Sequence, residues 1–304
     1  MNTFWDPIGD TIQDNSFDQQ NQEVIRHVDE YKGNPRKIKK NLVIRTLFGI
    51  VITGIYIAFW GFNRLFIYVG VLSFMPLILS IGEIRAAQQN FILFLMCQAQ
   101  AWVYNPKHDQ ARYDRLKNVY PDIFACGHSQ EIEDQIWGSI QSSKLIDFWS
   151  GIFYYETGSG KSRRRYHHTL FAVKLFKQLP LEFTVFRKGL ISFNNGDYKM
   201  ESEEFNKLFF IEVKNKGPDT EMLLFKILSP SVQVRLIQLA HEYTLAGINF
   251  KNETMIVDFE REVWIPKYTN FFKKVVVDPR DTNDFIELLK KMTAVPIDML
   301  QFMD

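Results

Sequence analysis

The sequence predicts an α+β fold: an N-terminal two-helix transmembrane hairpin, then a mostly antiparallel sheet with helices packed on it. Three observations carry this prediction. Two nearly unbroken apolar runs stand close together near the N-terminus. From about Asn105 the texture changes to short β-type runs separated by turn residues. Helical periodicity returns only late, so strands and helices segregate instead of alternating. The implied division is a polar, partly helical leader over residues 1–41, the hairpin with a helical extension over 42–104, and a cytoplasmic α+β domain over 105–304.

In the leader, Val24, Ile25, Val28 and Tyr31 recur at helical steps. The first apolar run is Leu42 to Trp60, interrupted by Arg45 and two threonines. About 20 residues at roughly 1.5 Å each cover a hydrocarbon core of roughly 30 Å. Leu47, Phe48, Ile52, Ile55, Phe59 and Trp60 are its anchoring side chains. The second run, Leu65 to Ile81, follows after only four residues and anchors through Leu65, Ile67, Val69, Leu72, Leu77 and Ile78. Both runs are apolar on every face, whereas a helix at the edge of a soluble core keeps a polar stripe. Pro76 is tolerated in a membrane helix as a kink.

Lys32, Arg36, Lys37, Lys39, Lys40 and Arg45 stand at the head of the first run, while the connecting loop holds Arg64 alone. The excess of basic residues places both termini in the cytoplasm and the hairpin in a cytoplasmic (inner) membrane. The polar leader is too long for a signal peptide, and no small-residue cleavage site follows the apolar run. Glu83 to Trp102 continues without Gly or Pro, either as an extension of the second helix or along the headgroups.

In the domain, Leu145–Glu156 and Arg165–Phe176 flank a turn-forming stretch and read as a hairpin with a long loop. Further strands are expected at Leu181–Phe186, Leu190–Phe193, Leu208–Val213, Met255–Phe259 and Glu262–Ile265. Helices are expected at Thr220–Leu228, at Ser231–Tyr243 entered through Pro230, and at Asp281–Met292 capped by Asp281 to Asn283, with Pro296–Phe302 adding a turn or two.

Composition excludes several function classes. A chain of 304 residues that is 46% hydrophobic and 15% aromatic is not disordered. Lys+Arg 36 against Asp+Glu 35 leaves +1, which provides no global field for nucleic acid. The two cysteines, Cys97 and Cys126, are too few for a disulfide scaffold or a four-cysteine zinc site.

Among local motifs, Gly158 to Ser162 reads like the end of a phosphate-binding loop. The position of its first glycine is Tyr155, however, and a strand is expected to follow, so backbone amides would not converge on an anion. The same loop carries Lys161, Arg163, Arg164 and Arg165, a basic tip suited to anionic lipid or a partner. His128, Glu131 and Asp134 fall at the spacing of helical turns. His167 and His168 are adjacent and on a strand point to opposite faces. His241-Glu242 begins a zinc-protease-like motif whose second histidine is replaced by Leu245. These patterns predict no metal, no cofactor and no catalytic set; Cys126, His128, Glu131 and Asp134 form the one neighbourhood that catalysis would use.

Taken in order, Glu133-Asp134 with Gly138, Phe171, Glu201-Ser202 with Phe205-Asn206-Lys207 and Phe209, and Leu228-Ser229-Pro230 resemble a bacterial membrane-protein family, domain of unknown function 3137. The resemblance covers roughly residues 85–300. Where the family tends to have glycine after Phe171, this chain has Ala172. The resemblance implies two N-terminal membrane helices and a cytoplasmic α+β domain, with no reaction or cofactor. It implies a turn before a strand at Glu133 and Asp134, backbone corners at Gly138 and Pro230, and core positions for Phe205 and Phe209. Paired acids at Glu133 and Asp134 would suit a partner's basic group.

The expected function is a membrane-anchored interaction or scaffold module, non-catalytic, with the phospholipid bilayer and a protein partner or a second copy as its contacts, and neither nucleic acid nor a small molecule. The alternatives are a membrane-associated enzyme or transport accessory using the Cys126 neighbourhood, or an anionic-lipid-binding domain.

Overall fold

A computed structural model describes residues 35–60, 68, 71, 73, 75, 89–90, 92–142, 144–189, 196, 198–261, 263 and 279–300. The leader's helical pattern and the strand expected at Leu190–Phe193 lie outside these residues, as does nearly all of Glu262–Ile265. Of the second apolar run, Tyr68, Val71, Ser73 and Met75 are described, each helical. The described residues fall into two units, one up to Leu95 and one from Met96 onward.

The first unit is built on α1, Pro35–Trp60. Its proline stands in the first turn, where a missing N–H costs nothing, and the lysines that follow favour a helix. Val43, Leu47, Phe48, Val51, Ile55 and Phe59 are each more than half exposed. Among the described residues no single helix is long and apolar enough to cross a membrane, Val43–Phe59 being a shorter apolar stretch.

The second unit begins with the end of a helix over residues 92–99, which closes by a left-handed turn. Ala101, at φ 55, lets its own N–H reach the Gln98 carbonyl (3.3 Å) and the Trp102 N–H reach that of Cys97 (2.8 Å). The elements that follow are β1 (Val103–Asn105), α2 (Gln110–Val119), β2 (His128–Gln141), β3 (Leu145–Thr157), β4 (Arg164–Lys174) and β5 (Phe183–Arg187). Then come α3 (Glu203–Leu208), β6 (Phe209–Val213), α4 (Thr220–Ile227), α5 (Pro230–Glu242), β7 (Leu245–Lys251), β8 (Thr254–Phe259) and α6 (Pro279–Leu300). As the sequence predicts, the class is α+β: the eight strands make one antiparallel sheet in the order β1-β2-β3-β4-β8-β7-β5-β6.

The expected long-loop hairpin is β3–β4, paired from Phe148↔Val173 to Thr157↔Arg164. Its register sorts side chains onto two faces. Trp149, Phe153 and Tyr155 lie on one, across from Ala172, His168 and Tyr166. Phe148, Ile152 and Tyr154 lie on the other, across from Val173, Thr169 and His167. The first face meets α2 through Phe124, which touches both Phe153 and Tyr113. The second carries α6, whose Phe285 meets Phe148 and Trp102, and α6 packs against α5. Trp149, Phe148, Phe171 and Phe259 are fully buried between these layers.

Several expectations change. Glu133, Asp134 and Gly138 lie within β2, not at a turn before it or at a corner, and His128, Glu131 and Asp134 share that strand instead of a helix. β2 shifts register twice, between His128 and Glu131 and between Glu133 and Ile136, with Ser129 (φ 50) and Asp134 (φ 49) in the left-handed region. Each bulge adds an unpaired residue and breaks the two-residue period by which a strand is read. Gly138 is needed because Trp102 lies on it: a Cβ there would come within 2.3 Å of the indole Cδ1. The indole N–H donates to the Ser139 carbonyl at 3.0 Å. Finally, α6 starts at Pro279, so Asp281 to Asn283 lie inside its first turn and do not cap it, and Pro296 lies within the helix instead of starting a new turn.

Candidate functional site

Polar and aromatic side chains gather at the closed end of the β3–β4 hairpin. Two glycines with positive φ, Gly158 (76°) and Gly160 (56°), turn the chain into a short 3-10 turn, Gly160–Ser162. A Cβ on Gly158 would press on the Ser162 carbonyl oxygen at 2.6 Å, so glycine is required there. The Ser162 hydroxyl donates to the Ser159 carbonyl at 2.8 Å. A strand, β4, leaves this turn, so the segment lacks the helix start that a phosphate-binding loop needs.

Structure divides the four basic residues of this tip. Arg163 donates through Nε to the Glu156 carboxylate at 2.6 Å, and this bond holds that carboxyl below its ordinary range. Arg165 pairs with Glu131 and stacks over the Tyr154 ring at 4.3 Å. Lys161 and Arg164 are exposed, and among the described residues neither joins a salt bridge. Aromatic rings back the charges on both faces. Tyr155 stacks on Tyr166 (5.4 Å, 16°) on one face, and Tyr154 leans on His167 (6.1 Å) on the other.

One step along the first face, His168 ties three strands together. Its Nδ1 lies 2.7 Å from Asp258 Oδ1 on β8, and its Nε2 lies 3.4 Å from the Tyr155 hydroxyl on β3. The β4–β8 register ends at Thr169↔Phe259, so the imidazole bolts the two strands where their backbone pairing stops. Burial pulls the imidazole pKa down, but the bond to Asp258 and the charges of Asp258 and Glu260 outweigh it, and the net shift is upward. Burial raises the Tyr155 hydroxyl, helped by Cys126, Asp258 and Glu260.

The Cys126, His128, Glu131 and Asp134 neighbourhood separates into individual contacts. Burial raises the Cys126 thiol, which points at the Ile123 carbonyl (3.6 Å). His128 is exposed, Glu131 holds Arg165, and Asp134 accepts a hydrogen bond from the Tyr104 hydroxyl at 2.6 Å. Burial and then the Asp134 charge push Tyr104 well above its ordinary range. Glu133, the neighbour of Asp134, is raised by burial and by Glu131. Gln135 is fully buried; its oxygen accepts from the Trp149 indole at 3.3 Å, while its amide nitrogen has no partner among the described residues.

Among the described residues no group of three or more His, Cys, Asp or Glu side chains is placed to hold a metal. A cleft of about 260 Å³, partly open to solvent, lies between the loop after α2 and strands β5 and β7. Its charges are already engaged, Lys214 with Asp122 and Lys251 with Glu182 (3.4 Å). The residues that sequence reading missed are Tyr104, Tyr155 and Asp258. Their pairings cross 30, 13 and 90 positions, and no short motif links them.

The fold and this surface define an α+β protein with a single large antiparallel sheet. The chain matches no family model and no curated protein. Among solved structures it is similar to the crystal structure of the mycobacterial trehalose monomycolate transport factor A, TtfA. That match has 9% identity, a TM-score of 0.37, and coverage of 68% of this chain and 93% of that chain.

Proposed function

We propose that the protein is a membrane-anchored, non-catalytic interaction module, with the layout that the resemblance to domain of unknown function 3137 implies. In this reading α1 and the run Leu65 to Ile81 form two passes of a cytoplasmic membrane with both termini in the cytoplasm. The α+β domain is held at the membrane to engage a protein partner or a second copy. One observation carries the reading: α1 exposes Val43, Ile44, Leu47, Phe48, Ile50, Val51, Ile55 and Phe59 over about half of its circumference, and a contiguous apolar surface of that extent calls for a cover. Val43–Phe59 measures about 25 Å at 1.5 Å per residue, and Leu42 and Trp60 bring it to about 28 Å, close to a hydrocarbon core of about 30 Å.

The test is to extract the full chain from native membranes in mild detergent and weigh what elutes with it. The expected result is retention in the membrane through an alkaline carbonate wash, then elution with a stoichiometric partner or as a defined oligomer. A lone monomer would remove the scaffold part of the proposal, and a chain washed off by carbonate would remove the anchor. The enzyme alternative stands second because Cys126, Glu131 and Asp134 each contact a different group. Alanine at Cys126, His128, Glu131 and Asp134 is expected to leave cellular activity intact; its loss in a folded, inserted protein would favour the enzyme.

A further inference from the structure

We infer that the closed end of the β3–β4 hairpin is a bilayer-interface contact for anionic phospholipid headgroups, with Lys161 and Arg164 as the lipid-binding cations and Tyr166 as the ring seated among the headgroups. This deepens the membrane-anchor reading and rests on it. The argument starts from how the hairpin ends. β8 stops opposite Thr169, so among the named strands Arg164 to His168 are flanked by β3 alone. The tip beyond carries Lys161 and Arg164, exposed and joined to no carboxylate among the described residues.

Arg163 and Arg165 play a different part. Paired at the surface with Glu156 and Glu131, they are positioning residues for the tip, each charge already opposed by a carboxylate. Tyr166 is 40% exposed and stacked on Tyr155, an amphipathic ring supported on one side by its neighbour. A ring of this kind beside unpaired cations is the chemistry of a headgroup layer: tyrosine favours the boundary between hydrocarbon and water, and lysine and arginine meet phosphate. The near-neutral net charge of +1 fits a local contact of this kind better than a field-driven one such as a nucleic-acid groove.

The experiment uses the full chain reconstituted in vesicles, with S159C carrying a polarity-sensitive dye in a C126S background. Vesicles of phosphatidylcholine alone are compared with vesicles of phosphatidylcholine mixed with phosphatidylglycerol. A blue-shifted dye is expected in the mixed vesicles, with reversal by salt. K161A/R164A is expected to weaken docking about thirty-fold, since each charge near the surface contributes a factor of about five, and Y166S by a smaller factor. A signal that ignores phosphatidylglycerol, or one that a single-stranded oligonucleotide abolishes, would overturn the inference. A chain that inserts normally but shows no dye response fails here alone. One that does not stay in the vesicles fails the anchor as well.

Discussion

Two helical regions of this protein are apolar, and they solve the problem in opposite ways. The pair α4–α5, bent by 65°, is long and apolar enough by composition to be a membrane span, whereas the apolar stretch of α1, Val43–Phe59, is shorter than the roughly 20 residues that cross a bilayer. Exposure reverses that ranking. In α5, Val232, Leu236, Leu239 and Ala240 are buried at helical spacing while Arg235, His241 and Glu242 face out, so the stripe is used up against the protein. Leu224 and Ile227 do the same for α4. In α1 the apolar side chains of Val43, Leu47, Phe48, Val51, Ile55 and Phe59 stay exposed, while Gly49 and the half-buried Thr53 and Tyr56 lie on the opposite side. Total hydropathy counts both alike; exposure separates a helix whose apolar stripe is used up in the core from one whose apolar side chains stay uncovered.

The comparison breaks first at α1. Replacing Phe48 and Ile52 with arginine is expected to cost roughly 5 to 7 kcal/mol of insertion free energy, at about 2.5 to 3.5 per charge. The measurement is the fraction that resists carbonate extraction, which should collapse. A variant that stays in the membrane would place the anchor elsewhere. The reciprocal change is Leu236→Ala in α5, which opens a cavity in a fully buried position. A loss of about 2 to 5 kcal/mol in urea unfolding is expected, with the membrane fraction unchanged.

A smaller effect is expected from Gly138→Ala, whose methyl collides with Trp102. A loss of about 1 to 3 kcal/mol should appear together with a changed near-ultraviolet tryptophan signal, and an unaltered signal would mean that Trp102 does not pack there. The smallest effect is the pH dependence of the His168 clasp. The imidazole pKa is raised in the folded chain above its ordinary 6.5. Its contribution is therefore fully present below about 6.5 and is lost as pH rises through the folded value. Unfolding midpoints measured across this window should fall with rising pH. Asp258→Asn should flatten that slope, and a slope unchanged by it would assign the dependence to another group.

Much of the fold was legible because burial leaves a period in the sequence. The stripe of α5 states its environment locally, and β3 and β4 show as short β-type runs on either side of turn residues. β2 was not legible, because two bulges disrupt its period and put Asp134 in a left-handed conformation. β1 and β7 were missed as well, β1 because three residues are too short to show alternation. At the candidate site, the basic tip was visible as a charge run, but its division into two latched arginines and two cations with no carboxylate partner among the described residues was not. Glu131 lies 34 positions from Arg165, and only strand pairing brings them together.

The chain alone thus establishes an α+β class, a long apolar run in an N-terminal helix, a hairpin closed by glycines and the absence of a strong global charge. All of these follow from local composition and period, which act within a turn or a strand. Tertiary structure decided the order of the eight strands, the seat of Trp102 on Gly138, and the union of Tyr155, His168 and Asp258. Those depend on which distant segments share a face, and side chains at such separations leave no periodic trace for a reader of one sequence to follow.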